Sequence, residues 1–73
     1  MPDDLFAKKA EFVSWSIEEY AAANNLSSRD VANNFSKKGV LGFLEEHYEI
    51  LHTQGKNYIL DAINDFIRTG DSK

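Results

Sequence analysis

In the stretch YEILHTQGKNYIL, residues 48–60, His52, Thr53, Gln54, Gly55 and Lys56 stand between two apolar runs. They bring together an imidazole, a hydroxyl, an amide, an unhindered backbone and a cation, a set that could cradle an anion at the start of a helix. The spacing is not that of a phosphate loop. The leading glycine of that motif would fall at Ile50, and Asn57 stands where a magnesium-binding hydroxyl is needed, so nucleotide hydrolysis is not expected. Two readings of these residues follow. In one they form a capped corner, with Thr53 as N-cap, Gly55 allowing a close backbone approach, and His52 hydrogen-bonded to a neighbouring helix end. In the other His52, Thr53, Gln54, Gly55 and Lys56, with Tyr48, form a contact surface for a partner.

Other reactive side chains lack companions. His47 and His52 are five residues apart, which places them on different faces of a helix, and without cysteine nothing completes a tetrahedral metal set. Glu18, Glu19, Glu45, Glu46 and Glu49 fall on predicted solvent faces, where neither burial nor a close like charge would tune a carboxyl for acid or base work. The serines have no strained elbow and no base beside them, and a 73-residue chain leaves little volume for a substrate cleft. We therefore expect no catalytic residues, no metal and no cofactor, and a non-enzymatic role.

The elements that must position the corner are helices. Phe6, Ala10, Val13, Ile17, Tyr20 and Ala21 recur at spacings of three and four, which predicts an amphipathic helix over about 4–24. Asp3 and Asp4 suit its positive end, and Asn24 and Asn25 suit its stop. Phe12 and Trp15 lie off that stripe; either the helix has a wide buried face or it carries an exposed aromatic edge. In LSSRDV, Ser27 can cap a helix over about 28–38, with Asp30 reaching back as in a capping box and Leu26 and Val31 at staple positions. Val31, Ala32 and Phe35 form its apolar face, and Lys37, Lys38 and Gly39 give a cationic last turn with a left-handed stop. A helix over about 40–51 then shows Val40, Phe43, Leu44, Tyr48 and Leu51 on one side and Glu45, Glu46 and Glu49 on the other. A last helix over about 55–69 turns Ile59, Ala62, Ile63, Phe66 and Ile67 inward and ends near Arg68, Thr69 and Gly70, before a short polar tail. No run alternates as a strand would. The expected fold class is all-α, a compact bundle of four helices with a helix-turn-helix-like pair in the middle.

Composition limits what such a bundle can do. Residues 1–73 suffice for one helical domain with one core, to which five Phe, three Tyr and one Trp bring large burial area. The absence of cysteine removes disulfides and thiolate zinc sites as supports. Met1-Pro2-Asp3-Asp4 carries acid where a secretory leader carries Lys or Arg, and no apolar run approaches bilayer length, so a cytoplasmic protein without membrane segments is expected. The formal charge of −4 repels a phosphate backbone. That charge weighs against the alternative of a helix-turn-helix DNA-binding regulator, because the reading helix would present Glu45, Glu46 and Glu49 to phosphates. Lys37 and Lys38 before Gly39-Val40-Leu41-Gly42 imitate a Gly-x-x-Gly nucleic-acid loop, but the strands that flank one are missing and we read a helix stop.

The order of IEEYA at residues 17–21, LS at residues 26–27, GV at residues 39–40 and above all LHTQG at residues 51–55 followed by YI resembles a bacterial family of small helical proteins classed as a domain of unknown function. The likeness runs over nearly the whole chain. It implies no catalytic residues. It implies instead an accessory role, antitoxin-like, beside a protein resembling an ADP-ribosyltransferase, and it favours the His52 to Gly55 corner as a contact site. The expectation is thus a protein-protein interaction module using His52, Thr53, Gln54, Gly55, Lys56 and Tyr48, with a protein partner and with Trp15 and Tyr48 as aromatic anchors.

Overall fold

A computed structural model describes residues 5–70, which are all-α in five helices: α1 Leu5–Asn24, α2 Ser28–Lys38, α3 Val40–Glu46, α4 Tyr48–Leu51 and α5 Lys56–Gly70. Asp3, Asp4 and the expected polar tail lie outside the described residues. α1 packs against α2, α3 and α5, and α3 also meets α2 and α5. The core between them is built from Phe12, Ala21, Val31, Phe35, Val40, Leu44, Leu51, Ile59 and Ile63. Every helix therefore contributes to it, and the expected apolar faces of α2, α3 and α5 are the faces that are buried or partly buried.

The helix ends follow local chemistry. Asn25 takes a left-handed φ of 56°, the Leu26 amide donates to the Ala21 carbonyl at 2.9 Å and the Asn25 amide to Ala22 at 3.4 Å. This pair of bonds is a Schellman motif, with Asn in the position usually held by Gly. Ser27 accepts from the Asp30 amide at 3.1 Å, the N-cap half of the expected capping box. The expected staple is looser, because Val31 is buried while Leu26 is half exposed. Gly39 closes α2 at φ 79°, its amide shared between the Phe35 and Ser36 carbonyls, and the chain turns directly into α3.

α1 departs from its predicted face. Phe6 is 85% exposed and Ala10 is also exposed, whereas Phe12 and Ser16 are buried. The buried side has rotated toward Phe12, leaving Val13, Ile17 and Tyr20 partly covered at its margin. Two contacts account for the shift. The Phe12 ring meets Tyr48 edge-on at 5.5 Å, and the Ser16 hydroxyl donates to the Phe12 carbonyl at 2.8 Å, so the serine enters the core with its polar group satisfied. The wide face thus holds Phe12, while Trp15 keeps an exposed edge.

The expected helix over 40–51 is two pieces. His47 sits at φ −105°, ψ 21°, outside helical geometry, and its amide closes α3 by donating to Phe43 at 3.1 Å. The ladder resumes with the Leu51 amide donating to the His47 carbonyl at 2.9 Å. No Gly or Pro marks the break. The bend serves packing: it accompanies the edge-on meeting of Tyr48 with Phe12 while Leu44 and Leu51 both remain buried.

Candidate functional site

The corner after α4 is built by side chains that finish that helix. The His52 Nδ1 lies 2.7 Å from the Tyr48 carbonyl oxygen, and the two rings stack with centroids 4.3 Å apart and planes 6° from parallel. A carbonyl can only accept, so Nδ1 carries the hydrogen, and in the neutral ring the exposed Nε2 is left as a free acceptor. The His52 amide also donates to Tyr48, at 2.9 Å. The Thr53 hydroxyl donates to the Ile50 carbonyl at 2.8 Å, and the Gln54 amide to Leu51 at 2.9 Å. The carbonyls of Tyr48, Ile50 and Leu51 are thereby satisfied within the seven residues Tyr48 to Gln54.

Three details of the capped-corner expectation change. Thr53 is not the N-cap of α5; its hydroxyl caps the end of α4. His52 bonds its own preceding turn and not a neighbouring helix. Gly55 holds the N-cap position, since its carbonyl accepts from the Ile59 amide at 3.1 Å, and no atom lies within 4 Å of where its Cβ would stand. The close approach inferred for it does not occur. Glycine is tolerated at an N-cap, but a hydroxyl there can accept from an orphan amide. Gly55→Ser is therefore expected to raise the melting temperature by a few degrees, about 0.5 kcal/mol, in a thermal denaturation monitored by circular dichroism. A fall of similar size would show that the corner needs glycine. For His52→Ala, loss of one capping bond worth about 1 kcal/mol is expected to lower Tm by about 4–8 °C. An unchanged Tm would mean that the bond contributes nothing to stability in solution.

The structure brings the six predicted residues together. His52 through Lys56 are exposed and Tyr48 is half-buried. The Gln54 side chain makes no hydrogen bond among the described residues. Lys56 Nζ lies 3.6 Å from Glu19 Oε1, linking the corner to α1 through an exposed pair that contributes little energy. Rings continue the surface: His52 stacks on Tyr48, Tyr48 meets Phe12, and Phe12 stacks on Trp15 at 6.1 Å. This ladder runs from the exposed imidazole through a buried Phe to an indole that is 38% exposed. Sequence reasoning missed two further apolar groups on the segments beside the corner, Ile50 at 61% and Tyr58 at 54% exposure. The available signal for Ile50 was its place off the stripe of Val40, Leu44, Tyr48 and Leu51.

Among the described residues no three His, Asp or Glu side chains come together to hold a metal ion, and no helix is long and apolar enough to cross a membrane. The fold and site thus define a small all-helical protein whose distinctive feature is an exposed polar corner with aromatic neighbours. Residues 11–70 match the model of DUF3791, a family described as a protein of unknown function, and the chain belongs to that family. Comparison with curated proteins and with solved structures gives no match.

Proposed function

We propose that this protein is a non-enzymatic protein-protein interaction module whose contact surface is the corner His52, Thr53, Gln54, Gly55 and Lys56 with Tyr48. The observation that carries this reading is the continuity of the ring ladder with the polar corner. His52 and Gln54 are exposed, and neither His52 Nε2 nor the Gln54 side-chain amide has a hydrogen-bond partner among the described residues, beside the half-buried Tyr48 and the partly exposed Trp15. Aromatic side chains are enriched among the residues that carry binding energy at interfaces, and polar groups form the rim around them. Neither Nε2 nor the Gln54 side chain is used by the cap, which rests on Nδ1 and Thr53.

The sequence resemblance supports a narrower role in the cytoplasm of a bacterium, as an accessory or antitoxin-like partner of an ADP-ribosyltransferase-like protein. The DNA-binding alternative gains no support, because Glu45, Glu46 and Glu49 are exposed on the α3 and α4 segments that would face the duplex. Co-purification of the tagged protein from its own cells tests the proposal. The His52→Ala, Gln54→Ala double variant, checked by circular dichroism to be folded, is expected to lose the partner retained by the unaltered chain. Retention of every partner by a folded double variant would remove the corner from the interface.

A further inference from the structure

The elbow between α3 and α4 encloses an open cleft of about 280 Å³ lined by Lys9, Glu45, Glu46, His47, Tyr48, Glu49 and Ile50. Tyr48 belongs both to this cleft and to the ring ladder, so cleft and corner form one surface. Two properties of the cleft stand out together. Ile50 is 61% exposed, an uncovered apolar side chain at its edge. The carboxylates of Glu45, Glu46 and Glu49 make no ion pair among the described residues, and Lys9 is the single Lys or Arg lining the cleft.

Unpaired carboxylates beside an uncovered apolar group are complementary to a partner of opposite sign that also brings an apolar side chain. A small cation would not suffice, since these residues do not converge into a metal-holding group. Spread carboxylates suit guanidinium groups spaced along a segment, each able to bond a carboxylate with two N–H donors and to lie against an exposed ring such as His47. We propose that the α3–α4 elbow docks an arginine-bearing, basic segment of the partner protein, with one apolar side chain of that segment seated against Ile50. This rests on the interaction-module reading above and names the chemistry of the partner.

The test uses the full chain and a fluorescein-labelled helical peptide of interspersed Arg and Leu, with its Glu-for-Arg analogue as control, followed by anisotropy at low salt. The Arg peptide is expected to bind and the Glu analogue not. Neutralising the elbow by Glu45→Gln, Glu46→Gln and Glu49→Gln is expected to weaken binding about tenfold. Ile50→Ser should weaken it about fivefold without changing charge. Neutralising three exposed carboxylates elsewhere, by Glu11→Gln, Asp30→Asn and Asp61→Asn, should alter it by less than about twofold, as distant surface charges are screened. Equal loss in this control set, indifference to Ile50→Ser, or equal binding of both peptides would overturn the proposal. So would self-association in sedimentation that Ile50→Ser abolishes, since a second copy would then be the occupant. In the co-purification above, loss of the partner by the elbow triple but not by the corner double would overturn the corner and leave the elbow standing. Loss by the corner double alone would overturn the elbow.

Discussion

Phe35→Ala is expected to lower the melting temperature by about 15–30 °C and to leave a substantial unfolded population near body temperature. Phe35 is fully buried, with its ring 5.1 Å from Tyr20 in an edge-on contact, and the Tyr20 hydroxyl donates to Asn64 Oδ1 at 2.8 Å. One side chain thus joins α2 to α1 at the point where α1 is held to α5. Removing a buried phenyl ring costs about 3–5 kcal/mol, whereas a chain of this length has only about 4–11 kcal/mol in total. No disulfide restrains the unfolded chain, since there is no cysteine. Thermal and urea denaturation by circular dichroism measure the effect, with Phe35→Leu, which leaves a smaller cavity, expected to fall between. A drop of less than about 5 °C for the alanine variant would show that the ring is not at the centre of the core.

Gly39→Val is expected to be the second most damaging of these changes, for a different reason. The residue is at φ 79°, ψ 13°, and the nearest atoms to an added Cβ are those of the Phe66 ring at 3.9 Å, an ordinary contact. Space is therefore available and conformation is the obstacle. A side chain in the left-handed region costs about 1–2 kcal/mol, more when it branches at Cβ, and Asn bears the least of this cost. Melting temperatures should fall in the order Gly, Asn, Ala, Val, with valine lower than the unaltered chain by about 8–15 °C. Equal losses for Asn and Val would point to crowding against Phe66 instead of backbone strain. Because Gly39 is both the stop of α2 and the joint to α3, a helix forced through it would also misplace the elbow and with it Tyr48.

Much of the fold was legible because its signals are local. Ser27 before a helix, Asn25 and Gly39 after one, and the three-and-four spacing in α2, α3 and α5 act through residues a few positions away, and each appears in the structure in its predicted role. The corner was legible as a corner for the same reason. Its internal assignments were less so: Thr53 can cap backward or forward, and in the structure its hydroxyl turns back to the Ile50 carbonyl at the end of α4 while Gly55 precedes α5. Ile50 went unnoticed because its exposure depends on the turn of a four-residue helix.

By itself, then, the sequence determined an all-α chain, the limits of most helices and the place of the polar corner, since hydrogen-bond caps and helical periodicity are satisfied within a turn or two of chain. Only the tertiary structure decided which side of α1 is buried and that the third predicted helix bends at His47. α1 carries apolar residues on several sides, so local pattern left its buried face open. The choice falls to residues far apart in sequence: Phe12 packs on Tyr48, and Ser16 turns its hydroxyl onto the backbone and enters the core. The same contact that rotates α1 brings Trp15, Phe12, Tyr48 and His52 into one ladder, and so joins the corner to the surface proposed to receive a partner.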